Sequence, residues 1–138
     1  MRLSSLVSAL LLVTTSAAQT VYVDANLATG ANDGTSWADA YQGIDGLQAA
    51  LNASAPGQSI FVAEGVYRPT ANGNRARSFR LRTGVAVYGG FVGDESSPDE
   101  RPALGSAQSV LSAALNGDDL PNMMNRGDNS YHVVRTQR

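Results

Sequence analysis

The sequence predicts an all-β fold of short strands separated by turns, with one short helix near the N-terminus. Three observations carry this. Short β-prone apolar runs recur along the chain, the segments between them are rich in Asn, Asp and Gly, and a single stretch has helical periodicity. Two architectures fit such a pattern, a parallel β-solenoid and an antiparallel β-sandwich.

The elements follow in chain order. Leu3 to Val13 is an eleven-residue apolar run after the positive start Met1-Arg2, and Ser16-Ala17-Ala18 obeys the small-x-small cleavage rule. The run is too short to span a membrane, which takes about 20 apolar residues. Residues 1–18 therefore read as a signal peptide cut before Gln19, and the product as secreted or cell-surface, without a membrane span in the mature chain. Residues 19–57 make up the first stretch of the mature chain. Val21-Tyr22-Val23 is its strand, and Asn32-Asp33-Gly34-Thr35 gives its loop strong turn chemistry. Ile44, Leu47 and Leu51, at i, i+3 and i+7, form the apolar side of its helix. Gly43 and Gly46 weaken that helix by up to about 1 kcal/mol each, so tertiary packing must hold it.

Residues 58–138 read as β structure. Ile60-Phe61-Val62-Ala63 and Gly65-Val66-Tyr67 are strands, Phe79-Arg80-Leu81-Arg82 alternates strictly, and Val85 to Tyr88, Val110-Leu111 and Tyr131 to Val134 follow. With Ile60, Val85, Val110 and Val133 as markers, the intervals are 25, 25 and 23 residues. A β period in the twenties without intervening helices favours solenoid coils. Strand recurrence alone also fits a sandwich.

In their order, these segments resemble secreted right-handed parallel β-helix proteins of the pectin-lyase-like superfamily. The similarity runs from Val21-Tyr22-Val23-Asp24-Ala25-Asn26 through Gly30 to Tyr41 and Leu47-Gln48-Ala49-Ala50-Leu51. It continues with Pro56-Gly57-Gln58-Ser59-Ile60-Phe61-Val62-Ala63-Glu64-Gly65-Val66-Tyr67, Val85 to Gly93, and Asp128 to Val134. The resemblance implies a right-handed parallel β-helix in which residues 19–57, strand, Asn/Gly loop and short helix, are the N-terminal cap and residues 58–138 the first coils, either a truncated fragment or an unusually small version. The cap would cover the apolar end of the core. Trp37 and Tyr41 would fill its corner, while Ile44, Leu47, Leu51, Ile60, Val62, Val85 and Val87 would face inward. An open C-terminal coil would invite self-association.

Composition excludes several chemistries. The chain has 138 residues and a formal net charge of -2, from 10 basic residues, all Arg, against 12 acids. Without a basic block, nucleic acid is not expected as a partner. Cysteine is absent, which removes disulfides, thiolate nucleophiles and cysteine-ligated zinc. The single histidine, His132, cannot build a His-rich metal site, and neither a nucleophile elbow nor a nucleotide fingerprint occurs. Calcium needs only oxygen donors, so Asp24, Asn26, Asn32 and Asp33 are the metal candidates. Ala28 and Thr29 break the EF-hand template there, and turn capping by Asn and Asp is the competing reading. Asp118 and Asp119 form a second acidic pair, whose adjacent side chains are expected to diverge.

Arg80 and Arg82 share a strand face and are the candidate contacts for an acidic polysaccharide, against the plainer reading of a solvated pair. No catalytic constellation emerges. The expectation is a non-catalytic, structural or adhesin-like, carbohydrate-contacting module of a cell surface, without a cofactor. The alternative is the N-terminal part of a polysaccharide lyase or glycoside hydrolase whose active site lies beyond residue 138.

Overall fold

A computed structural model describes residues 19–137. The expected signal peptide, residues 1–18, lies outside them. Among the described residues the regular structure is mostly strand, with a single α-helix. Its order is β1 (Thr20–Asp24), β2 (Tyr41–Gln42), α1 (Gly46–Ala53), β3 (Ser59–Ala63), β4 (Gly65–Tyr67), β5 (Phe79–Leu81), β6 (Ala86–Phe91), β7 (Ser109–Leu111) and β8 (Val134–Thr136), with short 3₁₀ turns in the later loops.

The strands form three sheets, ordered β2-β1-β3-β6, β4-β7 and β5-β8. Every ladder between them is parallel. An antiparallel sandwich is therefore set aside; the one antiparallel bridge among the described residues joins Leu120 and Met124 inside a loop. Parallel neighbours need long crossovers, and here bends and loops supply most of them, with α1 lying between β2 and β3 in the chain.

The 25-residue interval is not the spacing of the stacked partners. Val21 pairs with Ile60, Ile60 with Val87, Val66 with Val110 and Arg80 with Arg135, separations of 39, 27, 44 and 55 residues. The marker valines sit in different sheets, Val110 beside Val66 and Val133 with its carbonyl accepting from the Phe79 N–H at 2.8 Å. Loops of unequal length absorb the difference.

The main core gathers Val21, Val23, Leu47, Ala50, Leu51, Ile60, Val62, Tyr67 and Phe79, with Tyr41, Leu81, Val85, Leu111 and Val133 packed against it. Helix α1 buries Gly46, Leu47, Ala50 and Leu51. It starts later than the periodicity implies. Asp45 is its N-cap, so Ile44 precedes the helix, and its carbonyl accepts from the Arg68 N–H. Gly46 is the reason for the close fit, because a Cβ there would lie 2.9 Å from the Tyr41 carbonyl oxygen. Val87 departs from the expected inward row. It stacks on Ile60 but is 38% exposed, because β6 has no neighbour on its other side. The final strand starts at Val134, and His132 is exposed before it.

The opposite face of the largest sheet is also covered. Tyr22, Phe61 and Tyr88 occupy one register across β1, β3 and β6. Phe91 stacks on Phe61 at 4.5 Å between centroids, and Trp37 meets Tyr22 edge-on at 4.8 Å. Phe61 and Phe91 are buried, while Trp37 is half-buried as the outer cover. Burial on both faces explains the unbroken apolar run of β3, since strands of parallel sheets covered on both sides lose their alternation.

Candidate functional site

The polar face of α1, the loop after β4 and the outer side of β5 enclose an open cleft of about 360 Å³. Local sequence shapes each wall. On α1, Gln48 and Asn52 stand one turn apart, so their side chains meet, and Gln48 Nε2 donates to Asn52 Oδ1 at 2.9 Å. Strand β5 buries Phe79 and turns Arg80 outward. The loop wall is a run of side-chain caps. Asn72 N–H donates to Thr70 Oγ1, Asn74 N–H to Asn72 Oδ1 and Ala76 N–H to Asn74 Oδ1, at 3.3, 3.1 and 3.0 Å. These i to i+2 bonds are the Asx and Ser/Thr turns that these residue types favour.

The walls are tied together. Arg80 N–H donates to Gln48 Oε1 at 3.1 Å, joining β5 to α1. Asn32 joins from the cap loop, its Oδ1 accepting from the Gln42 N–H at 2.8 Å. Asp45 supplies the only carboxylate among the lining residues, and Arg77 and Arg80 the cations.

The sequence-derived candidates part company here. Arg80 lines this cleft. Arg82, just past the end of β5, turns to the helix terminus, where its Nη1 donates to the Asn52 carbonyl at 2.8 Å. A cation suits that end of a helix, where carbonyls lack partners. Arg82 lines a separate hollow with Pro56, Thr83 and Gln137.

Of the four calcium candidates, Asp24 and Asp33 cap local turns, whereas Asn26 and Asn32 bond to distant backbone groups. Asp24 Oδ1 accepts from the Asn26 N–H at 2.8 Å, and Asn26 Nδ2 donates to the Glu64 carbonyl at 3.0 Å. Asp33 Oδ1 accepts from the Thr35 hydroxyl at 2.7 Å and from its N–H at 3.0 Å, and these bonds, the hydroxyl first, lower its pKa. Among the described residues, the acidic group whose carboxylates converge is instead Asp118, Asp119 and Asp128, with oxygens within 4.8 Å of one another. The adjacent pair does not diverge, because the loop folds Asp128 back onto it. Asp128 Oδ2 accepts from the Asn116 N–H, and Asp119 Oδ2 from Asn129 Nδ2.

Apart from Asn32, which stood out only as a calcium candidate, the carboxamides of the cleft are the residues that sequence reasoning missed. Asn and Gln scattered over four segments look like turn formers; only a fold brings them to one surface. No described helix is long and apolar enough to cross a membrane. No family model, curated protein or solved structure matches the chain.

Proposed function

We propose that the chain is a secreted or cell-surface β-helix module, capped at its N-terminus, that contacts carbohydrate through the cleft beside α1 and performs no catalysis there. The observation that carries the reading is the cleft itself. It is open and lined by side-chain amides, two hydroxyls, one carboxylate and two guanidinium groups. Planar amide and guanidinium groups match the hydrogen-bonding hydroxyls of a sugar. The lone Asp45 has no second carboxylate beside it in the lining, whereas glycoside hydrolysis uses two.

The parallel β-helix is supported by three parallel sheets whose strands advance along the chain, from β1 to β3 to β6, from β4 to β7 and from β5 to β8. Export is supported by residues 1–18, and N-terminal sequencing of secreted protein should begin at Gln19.

The test is an NMR titration of the purified chain with a panel of neutral and charged oligosaccharides. Shifts confined to the amides of Gln48, Asn52, Asn72 and Arg80, without turnover of the sugar, are expected. Absence of any perturbation across the panel would overturn the reading.

A further inference from the structure

We infer that the cleft beside α1 selects an anionic, acceptor-rich ligand, a saccharide bearing carboxylate or sulfate, because two guanidinium groups line it and the fold engages the side-chain oxygens of Asn32, Asn52 and Asn72 while leaving their NH₂ groups free. The inference rests on the carbohydrate reading above and adds the charge class of the ligand.

Backbone partners fix which way each amide faces. A backbone N–H can donate only to an amide oxygen, so Asn32 Oδ1, Gln48 Oε1 and Asn72 Oδ1 are assigned by their bonds from Gln42, Arg80 and Asn74. Gln48 Nε2 must then be the donor to Asn52, which engages Asn52 Oδ1 in turn. Three side-chain amides, those of Asn32, Asn52 and Asn72, are thus left with their Nδ2 donors toward the cleft. Gln42 runs the other way. Its Nε2 donates to the Thr29 carbonyl at 2.7 Å, leaving Oε1 as an acceptor.

Counting free groups by chemistry, the acceptors are Gln42 Oε1 and the Asp45 carboxylate, since the Thr70 hydroxyl already donates to Asn72 Oδ1 and accepts from the Asn72 N–H, and Ser78 is buried. The donors are three amide NH₂ groups and the guanidinium groups of Arg77 and Arg80, each with five N–H donors. Both arginines are exposed, and among the described residues neither guanidinium has a carboxylate or carbonyl partner. A neutral polyol, which offers donors and acceptors in balance, would leave much of this surface unmatched. A carboxylate or sulfate offers acceptors only and pairs with guanidinium in bidentate fashion. Asp45, at the helix start, opposes the anion and sets where along the cleft it can lie.

The experiment is isothermal titration of the full chain with three tetrasaccharides of one backbone: a uronate, its carboxyl-reduced neutral form and a sulfated form. The double variant Arg77→Gln/Arg80→Gln and the single variant Asp45→Asn are titrated alongside, with circular dichroism to check folding. At least one anionic form should bind ten-fold or more tighter than the neutral one. The arginine double variant should lose that preference, and Asp45→Asn should strengthen anion binding. Which anionic form binds separates carboxylate from sulfate recognition. Equal binding of all three forms would overturn this inference while leaving the carbohydrate reading intact. Anion preference that persists in the folded double variant would also overturn it. Binding of sodium sulfate or acetate that depends on Arg77 and Arg80, with no saccharide bound, would sustain the anion selectivity and overturn the carbohydrate reading.

Discussion

The indole Nε1 of Trp37 donates to the backbone carbonyl of Glu95 at 2.8 Å. The bond ties the cap loop to the bend that follows β6, across the aromatic layer over the largest sheet. The bend is itself held by the Glu95 carboxylate, which accepts from the N–H groups of Val92, Gly93 and Asp94 at 2.8, 3.0 and 3.1 Å. One residue thus organises its loop with its side chain and anchors a distant aromatic with its main chain.

Trp37→Ala should destabilise the fold by about 2–4 kcal/mol, at the lower side of large aromatic truncations because the ring is half-buried. Trp37→Phe, which keeps most of the apolar cover but loses the bond to Glu95, should cost about 1 kcal/mol. Denaturant unfolding measures both. Unchanged stability in the alanine variant would mean that the ring is a surface platform.

Glu95→Gln removes a buried charge that backbone N–H groups favour, and should cost about 1–2 kcal/mol near neutral pH. Burial pushes the Glu95 carboxyl up, but the N–H groups of Val92, Gly93, Glu95 itself and Asp94 outweigh it and hold the pKa below the usual glutamate value. A depressed folded pKa stabilises above the unfolded value, and that contribution is lost as pH falls through the folded one. Urea midpoints measured downward from pH 5 should therefore fall more steeply in the native chain than in the variant. Parallel curves would refute the assignment.

Tyr67 is fully buried, its hydroxyl donating to the Ala63 carbonyl at 2.9 Å and accepting from the Ala25 N–H at 3.2 Å. Burial first, and then the nearby Asp24 charge, push its pKa up to about 12 against the opposing Ala25 bond. A raised pKa stabilises the fold below the ordinary tyrosine value of about 10, and the contribution disappears as pH rises toward 12. Tyr67→Phe should lose about 1–2 kcal/mol at neutral pH and show a shallower decline between pH 10 and 12, read by unfolding at each pH.

The outer margins of the three sheets are β6, β7 and β8. At β6 the margin is partly closed, since Arg101 Nη1 donates to the Gly89 carbonyl and Gly90 N–H donates to Ser109 Oγ. Val87, Val110 and Val134, in the three marginal strands, remain exposed. Unpaired strand edges with apolar side chains favour association. Sedimentation should show concentration-dependent self-association that Val87→Lys reduces. A monomer at all concentrations would contradict this.

Most of the strands, the helix after the first loop and the long apolar run of β3 were legible in the sequence, though the two-residue β2 and the true start of β8 were not, because propensity, periodicity and turn chemistry act over a few residues. Leu47 and Leu51 announce a buried helix face for that reason, and Arg80 an outward strand position. What pairs with what lay beyond that range. Ile60 meets Val87 and Val66 meets Val110 because loops of unequal length close around one core, and nothing local records a loop's closure. Phe61 shows the same limit. Its unbroken apolar run gave no direction for the ring, which Trp37 and Phe91 from distant segments help to cover. The cleft is the clearest case. Gln48, Asn52 and Asn72 carry only turn and helix signals in the chain, Asn32 stood out only as a turn former or calcium candidate, and tertiary structure alone decided that the four share a surface. It also decided which amide atoms remain free, since each orientation follows from a backbone N–H that the fold brings alongside.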